Sequence, residues 1–568
     1  MQHAPAEPVA PTGAEVLAEM LAAYGVTHLF MVPAVLRRTM AELERRTSIA
    51  RIHTHGEKAA AYMADGYARA ARRPGVCAAQ VVGALNLAAG LREPWLAHSP
   101  VIAFTGGRDP ATKFRPVYQE VDDLPAFEPV TKLNATIDDV ARVPDMVSQA
   151  FRVATSGCPG PVHLQLRGNE AQIDAERAEM GPLVDARFAT LPPFRPVADD
   201  GAIREALGHL RAARRPVLVA GGGVVASGAA RELVALAEGL ALPVATSLNG
   251  KEVIAGSHPL AVGVVGAYSR ASANQVVDRA DLVFFVGTET GSMTTHSWRV
   301  PEIGTPALQL DIEPTHLGRN YPLLVALAGD AKATLARMLE LAGDETPARD
   351  AWLEEVRELC ASWRREQAPL LASEEAPTRP ERLCAELAEL VEDDAIVVVD
   401  TGHAGIWMGA MFDVRSPDQR YLRSCGHLGW AFPAGLGARC ARPDRPVLVF
   451  TGDAGFWYHI AELETAVRWG IDTVTVVNNN SAGNQSKRGF ERAYDGQPTE
   501  RSRELWTFTD VDFARLAEDV GAFGVRVDKP GDLAGAIARA RASGRPAVVD
   551  VRTDCEILAP TPWTPAPR

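Results

Sequence analysis

The sequence predicts an α/β protein in which three consecutive domains each contain a parallel sheet. Three observations support this fold class. The chain has 568 residues, and about 150 residues per domain gives three to four domains. Apolar runs typical of buried strands alternate with helical patterns along most of the chain, which favours parallel sheets covered by helices. Several of these runs end in Gly, Asp or Asn, at the sheet edge where open α/β proteins bind ligands.

The first domain is predicted at residues 12–175. The segment Thr12–Glu15 has the pattern of a capping box and precedes a helical pattern. The strings THLFMV, ARIHTHG, VCAAQVVG, VIAFTGG and PVHLQL indicate buried strands with helices between them. Residues 176–195 lack periodicity and are interpreted as a linker.

The second domain is predicted at residues 196–345, with strands in PVLVA, LPVATSL, ADLVFFVG and ALQLDIEP. Gly221, Gly222 and Gly223 follow the first of these strands. Such a run can accept a phosphate, but we favour a tight strand-to-helix turn.

The third domain is predicted at residues 377–553, after a charged helical segment within 346–376. Its strands are expected in AIVVVD, VLVF, TVTVV and AVVDV. Residues 554–568 are rich in proline and are interpreted as a surface tail or a flap over a cleft.

Composition narrows the function classes. Hydrophobic residues make up 47% and charged residues 23%, as in ordinary soluble globular proteins. The net charge of −13 argues against a nucleic-acid partner. Seven scattered cysteines without a CxxC pair indicate reduced thiols. Residues 1–13 show no signal-peptide pattern, and no apolar run approaches the ~18 residues of a membrane span, so we expect a cytoplasmic protein without a membrane partner.

The most informative segment spans residues 451–483. One apolar run ends in Gly452-Asp453, and the next ends in three asparagines at 478–480. Two strand ends are therefore expected side by side, with a carboxylate, amides and nearby glycines. Oxygen ligands of this kind suit Mg²⁺ together with a diphosphate. The alternative is a solvated loop in which Asp and Asn are ordinary turn residues.

Two further features lie far away in the sequence. Glu57 follows a strand directly and opens an apolar helix, although a helix dipole alone favours an acidic residue there. Residues 423–438, RSCGHLGWAFPAGLGA, are dominated by small side chains. They would let the backbone lie against a flat ligand, or would form a closely packed helix start.

In order and spacing these segments resemble thiamine-diphosphate enzymes of the acetolactate synthase, pyruvate oxidase and 2-hydroxyacyl-CoA lyase type. The strings GEKAAAYMADGYARA, YQEVDD (118–123), PGPVHLQL (159–166) and PAGLGA (433–438) add to the likeness, which covers almost the whole chain. The resemblance implies a pyrimidine-binding (PYR) domain, a central domain and a diphosphate-binding (PP) domain. It also implies a homodimer or homotetramer with the site at the subunit interface.

The resemblance assigns roles to individual residues. Glu57 would hydrogen-bond the aminopyrimidine ring and favour the tautomer that takes the proton from the thiazolium carbon. Leu428 would hold the cofactor in a V shape, and Gly426 would contact the pyrimidine. The remaining cofactor-binding residues implied are Gly402, His403, Ala404, Gly452, Asp453, Ala454, Gly455 and Asn479.

The implied Mg²⁺ ligands are Asp453, Asn479 and the carbonyl of Ser481. The interval from Asp453 to Asn479 is one residue shorter than in most relatives. Asn480 is therefore an alternative ligand.

The segment after the metal site departs from the acetolactate synthase pattern. It carries Asn484, Gln485 and Lys487 where those enzymes have a bulky Met and a Trp nearby. Glu491 resembles the proton-relaying glutamate of 2-hydroxyacyl-CoA lyases, or else belongs to a surface charge cluster. Gln119 is a further candidate to face the substrate.

The strings GVVGAYSR and VGTETGSM stand where acetolactate synthases bind flavin, and neither matches well. We therefore do not expect FAD. The expected cofactors are thiamine diphosphate and Mg²⁺.

The predicted function is a C–C bond cleaving and forming enzyme, an acetolactate-synthase-like 2-oxo acid decarboxylase or carboligase. One alternative is a 2-hydroxyacyl-CoA lyase that releases formyl-CoA and an aldehyde or ketone. The other is a binding or regulatory homologue without activity.

Overall fold

The computed structural model describes residues 9–343 and 345–566. The start of the segment inspected for a signal peptide and the end of the predicted tail lie outside these ranges. The chain forms two compact units, one up to residue 193 with residues 440–442, and one from 194 to 439 with 443 onward. Each unit is described by itself.

The first unit contains a six-stranded sheet with the strand order β2-β1-β3-β4-β6-β5. Every pair of neighbours is parallel. Its strands are β1 (His28–Met31), β2 (Ala50–His53), β3 (Gly75–Ala79), β4 (Val101–Gly107), β5 (Leu133–Ile137) and β6 (Val162–Arg167).

Five helices accompany this sheet: α1 (Gly13–Ala23), α2 (Arg37–Arg46), α3 (Glu57–Ala71), α4 (Ala84–Leu96) and α5 (Val143–Thr155). Helix α1 starts with the predicted capping box. The Thr12 Oγ1 accepts from Glu15 N at 3.2 Å, and the Glu15 carboxylate accepts from Thr12 N at 2.8 Å.

The second unit begins with a sheet of order β12-β11-β10-β7-β8-β9, again parallel throughout. Its strands are β7 (Pro216–Ala220), β8 (Val244–Thr246), β9 (Ala261–Val264), β10 (Leu282–Val286), β11 (Ala307–Asp311) and β12 (Leu323–Ala328). Its helices are α6 (Asp200–Ala212), α7 (Gly222–Ser227), α8 (Ala230–Gly239), α9 (Ala271–Asp278), α10 (Ala331–Ala342) and α11 (Asp350–Leu371).

The glycine run after β7 is explained by packing. A Cβ at Gly221 would lie 2.2 Å from the carbonyl oxygen of Gly287, and one at Gly223 would lie 2.7 Å from the Cα of Gly287. The strand-to-helix turn thus passes directly against the end of β10, as the tight-turn interpretation requires.

The last sheet, also in the second unit, has the order β14-β13-β15-β16-β18-β17 and is parallel. Its strands are β13 (Ile396–Val399), β14 (Arg420–Arg423), β15 (Val447–Gly452), β16 (Val474–Asn479), β17 (Phe523–Val527) and β18 (Ala547–Arg552). Its helices are α12 (Pro380–Leu390), α13 (His403–Met411), α14 (Ala431–Ala441), α15 (Asp453–Trp457), α16 (Glu462–Trp469), α17 (Asn484–Ala493), α18 (Phe513–Asp519) and α19 (Asp532–Ala542).

Three parallel six-stranded sheets with helices between their strands confirm the predicted α/β class. The predicted boundaries at 12–175, 196–345 and 377–553 stay predictions.

All seven cysteines are free thiols. Over the part of the chain that the structure describes, no helix is both long and apolar enough to cross a membrane.

Candidate active site

A cavity of about 570 Å³ opens at the carboxyl ends of neighbouring strands in the last sheet. Strands β15 and β16 pair directly, with Gly452 opposite Asn478, so the two predicted strand ends do lie side by side. The predicted residues that line this cavity are Gly402, His403, Ala404, Leu428, Gly452, Ala454 and Gly455. Glycine at 452 leaves open space, since a Cβ there would meet nothing within 4 Å.

Asp453 begins α15 beneath the cavity and is only 3% exposed. Its Oδ1 accepts from Ala454 N at 2.9 Å and its Oδ2 accepts from Ala482 N at 3.1 Å. Burial raises the pKa of this carboxyl group to about 7, against the lowering effect of the backbone donors. A cation bound beside it would offset that desolvation cost.

The asparagines at the end of β16 face different surroundings. Asn479 is fully buried, and its Nδ2 donates to Asp550 Oδ1 at 2.8 Å and to Val511 O at 3.0 Å. Asn478 and Asn480 line the cavity. The Asn480 Oδ1 accepts from the backbone N–H of Ala482 at 3.0 Å, which orients the amide at the cavity wall.

The predicted backbone ligand also has a partner. The carbonyl oxygen of Ser481 accepts from Phe508 N at 2.8 Å. Ser481 has a positive φ of 56°, and Ala482 follows it in the cavity lining. The carbonyl oxygen of Ser481 is therefore already engaged, and Ala482 is the adjacent residue that lines the cavity.

His403 is the first residue of α13 and is 9% exposed. Its Nδ1 lies 3.5 Å from the backbone N of Ala559, and its Nε2 has no hydrogen-bond partner among the described residues. Burial, with a smaller contribution from Arg488, lowers the pKa of the ring to about 4. A neutral imidazole with an unpaired nitrogen thus lies at the wall of the cavity.

Asp400, directly after β13, ties the segments around the cavity together. Its Oδ1 accepts from Thr401 N at 2.8 Å and from Gly429 N at 3.1 Å, and its Oδ2 accepts from Thr451 Oγ1 at 3.0 Å. A Cβ at Gly455 would lie 2.7 Å from the same Oδ2. One buried carboxylate therefore fixes the ends of β13 and β15 and the segment that carries Leu428.

The segment from Gly426 to Gly429, which carries Leu428, has positive φ angles at both glycines. Gly426 has φ 145° and Gly429 has φ 88°, with the half-buried Leu428 between them. A Cβ at Gly426 would meet nothing within 4 Å, whereas one at Gly429 would lie 2.5 Å from Tyr458 Cβ. Leu428 is among the cavity residues, and Gly426 is exposed beside them.

Glu57 belongs to the first unit, where it opens α3. Its Oε2 accepts from Asn86 Nδ2 at 3.1 Å. A Cβ at Gly83 would lie 2.2 Å from the Glu57 Oε1, so only glycine leaves room for this carboxylate.

Gln119, in the same unit, has φ 67° and accepts from Gln80 Nε2 at 3.1 Å through its Oε1.

Helix α17 contributes Asn484, Gln485 and Ser486 to the cavity lining. Lys487 is 5% exposed and forms an ion pair with Glu556 at 2.5 Å. Glu491 lies one turn further on, outside the lining residues, with its carboxylate 4.0 Å from Lys487 Nζ.

Sequence reasoning missed several lining residues, namely Trp457, Tyr458, Phe508, Thr509 and Val511, as well as Asp400 beneath them. Asp400 ends an apolar strand, as Asp453 does, and that shared pattern could have found it. The segment 508–511 carries no such signal, because it reaches the cavity through the hydrogen bond from Phe508 N to Ser481 O.

The donor set fits a magnesium diphosphate. A buried carboxylate, an amide and backbone carbonyls are hard oxygen ligands, and Mg²⁺ completes its shell with water and phosphate. The unpaired Nε2 of His403 and the N-terminus of α13 are suited to phosphate oxygens.

Three family models match the chain. They are the thiamine pyrophosphate enzyme N-terminal TPP binding domain over residues 11–126, the central domain over 203–338, and the C-terminal TPP binding domain over 400–551.

Curated proteins align over nearly the full length. A probable acetolactate synthase large subunit of Methanocaldococcus jannaschii is 32% identical over 556 residues, covering 95% of this chain and 92% of its own. The acetolactate synthase isozyme 3 large subunit of Escherichia coli K12 is 29% identical, with 96% and 95% covered. A glyoxylate carboligase of Escherichia coli O157:H7 is 31% identical, with 91% and 88% covered.

Proposed function

Because this chain belongs to the thiamine pyrophosphate enzyme family, we propose that it is a thiamine-diphosphate- and Mg²⁺-dependent enzyme that cleaves and forms C–C bonds next to a carbonyl group. The observation that carries the proposal is the cavity at the ends of β13 to β16, where His403 and Asn480 line the wall and the buried Asp453 lies between the lining residues Gly452 and Ala454. When bound, the thiazolium ring supplies the carbon nucleophile and the electron sink.

The chain's own residues would bind and orient the cofactor. Asp453, Asn480 and the carbonyl oxygen of Ala482 would hold Mg²⁺. We choose Asn480 over Asn479 because the Asn479 amide already donates to Asp550 and Val511. Gly402, His403, Ala404, Ala454 and Gly455 would surround the diphosphate.

Glu57 would exchange a proton with the pyrimidine ring. Asn86 donates to its Oε2, which orients the carboxylate and leaves Oε1 beside Gly83 to share the proton. Leu428, held through Gly429 by Asp400, would support the bent cofactor, with Gly426 beside it.

The family resemblance places Glu57 and the cavity of the partner copy in one site, so a homodimer is the smallest active unit.

For the substrate, we propose a 2-oxo acid, which the enzyme decarboxylates and joins to a second carbonyl compound. The relatives named acetolactate synthase and glyoxylate carboligase support this class. Asn484, Gln485 and Ser486 line this end of the cavity and give it a polar wall. The 2-hydroxyacyl-CoA lyase alternative rests on the departure of α17 from the acetolactate synthase pattern and on Glu491, which lies outside the cavity lining.

The first experiment measures the thermal midpoint with thiamine diphosphate and Mg²⁺, and then hydrogen–deuterium exchange at the thiazolium carbon. We expect the thermal midpoint of the protein to rise when thiamine diphosphate and Mg²⁺ are added. We also expect the thiazolium proton to exchange faster on the protein than in free thiamine diphosphate. If the protein does not accelerate this exchange, the enzyme hypothesis is wrong, and the binding or regulatory homologue without activity is the hypothesis that remains. Turnover of pyruvate and glyoxylate, set against a short 2-hydroxyacyl-CoA, then separates the substrate classes.

Glu57→Gln tests the proton step. The amide cannot share the proton, so we expect exchange to slow by about 10²–10⁴-fold while cofactor affinity changes little. Glu44→Gln is the matched control, since Glu44 is an exposed glutamate of the same unit, with 68% of its side chain accessible. Unchanged exchange in Glu57→Gln would remove Glu57 from the mechanism.

A further inference from the structure

We propose that residues 554–564, here called the C-terminal segment, are part of the diphosphate-binding machinery, because the backbone N–H of Ala559 fixes the tautomer of His403 that presents Nε2–H to the cavity. Ala559 is thus a positioning residue that acts through His403. The inference rests on the proposed function and adds a role for a segment outside the three matched family models.

The chemistry of the His403 ring gives the tautomer. Its Nδ1 faces the backbone N of Ala559 at 3.5 Å, and an N–H can only donate. The lone pair of a neutral imidazole must therefore lie on Nδ1 and its proton on Nε2. That Nε2 is buried at the cavity wall without a partner in the described ranges, so it has a donor left for an anionic ligand.

The position of Ala559 is set by helix α17. Arg488 donates to the carbonyl oxygen of Ala559, and Asn484 Nδ2 donates to the carbonyl oxygens of Cys555 and Ile557 at 3.1 and 3.3 Å. Lys487 pairs with Glu556. Asn484, Lys487 and Arg488 are three and four residues apart, so a single face of the helix holds the segment.

The far end of the segment is also fixed. Asn274 Nδ2 donates to Trp563 O at 2.9 Å, and His296 Nε2 lies 2.8 Å from Thr564 Oγ1. Pro560 and Pro562 restrict the backbone between the two attachments. Ala559 itself is 1% exposed. The N–H that faces His403 is therefore held in place from both sides.

The same helix serves two purposes in this arrangement. Its first turn gives Gln485 and Ser486 to the cavity, and its residues Asn484, Lys487 and Arg488 hold the C-terminal segment. A change at Ala559, or at Arg488 that holds it, would therefore act on the cavity through His403.

The test compares Ala559→Pro, which removes the N–H, with Ala559→Gly, which keeps it. Affinity is measured by calorimetric titration with thiamine diphosphate in Mg²⁺ and, separately, with inorganic diphosphate. We expect Ala559→Pro to weaken both ligands by about 3–10-fold and Ala559→Gly by less than about twofold. Equal affinities for the two variants would overturn the inference.

Substitutions of His403 test which nitrogen donates. The amide nitrogen of Gln reaches the place of Nε2, whereas that of Asn reaches the place of Nδ1. We expect His403→Gln to bind diphosphate about 10-fold more tightly than His403→Asn. The opposite order would contradict a donor at Nε2.

Nitrogen NMR of histidine-labelled apo protein reports the tautomer directly. The His403 signal, identified by its loss in His403→Gln, should show the proton on Nε2, and Ala559→Pro should shift it toward a mixture. A proton on Nδ1 in the wild-type protein would disprove the proposal even before any ligand is added.

These results separate this inference from the proposed function. If wild-type protein fails to bind thiamine diphosphate, the proposed function fails, and the NMR measurement still decides the contact between Ala559 and His403. If Ala559→Pro does not fold, Arg488→Met replaces it, with Arg492→Met on the same helix as control. Equal diphosphate affinity for these two variants would likewise overturn the inference.

Discussion

Three asparagines in succession, residues 478–480, have unequal positions at the end of β16. Successive side chains of a strand point to opposite faces, so a shift of one residue exchanges the two environments. Asn478 and Asn480 reach the cavity, and Asn479 donates to Asp550 on the other side. The sequence predicted an amide ligand beside Asp453, but it could not choose between adjacent asparagines, because the register becomes known only from the pairing with β15 and β18.

Asn480→Ala and Asn479→Ala should therefore affect different properties. We expect Asn480→Ala to raise the Mg²⁺ concentration needed for cofactor binding while the thermal midpoint of the apo protein stays nearly constant. Asn479→Ala should lower the apo stability by about 1–3 kcal/mol, because it leaves Asp550 and Val511 without the donated hydrogen bonds. Magnesium titrations and calorimetry check both effects, and the reverse pattern would restore Asn479 as the ligand.

Asp400 does not line the cavity, but it accepts hydrogen bonds from three segments around it. We expect Asp400→Asn to lower both the thermal midpoint and the affinity for thiamine diphosphate, the latter by about 10-fold, because an amide cannot accept all the bonds from Thr401, Gly429 and Thr451. Asp393→Asn, at an exposed position before β13, is the control. Cofactor affinity equal to that of the control would show that the segment carrying Leu428 does not depend on this carboxylate.

At the scale of elements, the strands that the sequence predicted lie mostly inside the sheets. Those it did not predict, β5, β9, β12, β14 and β17, are all edge strands. An edge strand of a parallel sheet pairs on one side only and is more exposed than a central strand. In β12, for example, the side chains alternate between buried and exposed, and in β14 two arginines flank the two buried residues. Their positions follow from pairing with the neighbouring strand, which a local pattern does not contain.

The turn after β8 links the two sheets of the second unit through buried charge. Lys251 is 7% exposed, and its Nζ donates to the carbonyl oxygen of Gly409 at 2.8 Å. Arg270 lies nearby and forms an ion pair with Asp413 at 2.6 Å. Burial, followed by the charge of Arg270, lowers the pKa of Lys251 to about 7.

This lysine should give stability a measurable pH dependence. Between the folded pKa of about 7 and the unfolded value of about 10.5, the unfolded chain binds a proton that the folded chain does not, so stability rises with pH. We expect the wild-type protein to gain up to about 1.4 kcal/mol per pH unit relative to Lys251→Met in that window. Thermal midpoints of both proteins from pH 7 to pH 10 check this, with exposed Lys529→Met as control. A constant difference would show that Lys251 stays protonated.

For the whole molecule, the sequence was sufficient to predict the fold class and the cofactor class. Both predictions depend on segments that occur along this chain in the same order as in thiamine-diphosphate enzymes. Substrate choice was not predictable in the same way. In the proposed function the polar wall of the cavity comes from α17, whose Gln485 and Ser486 line the cavity while Lys487 and Arg488 hold the C-terminal segment. Only the folded chain shows which of these polar residues are already paired.

The proposed arrangement of the active site in a homodimer gives the last prediction. If Glu57 of one copy serves the cavity of the other, a dimer of one Glu57→Gln chain and one Asp453→Asn chain has one intact site and one doubly altered site. Each variant alone should be inactive. Mixing equal amounts under conditions that exchange subunits should restore about a quarter of the wild-type activity, since half the dimers are mixed and half of their sites are intact. If each site instead belonged to a single chain, no mixed dimer would contain an intact site, and the mixture would stay inactive.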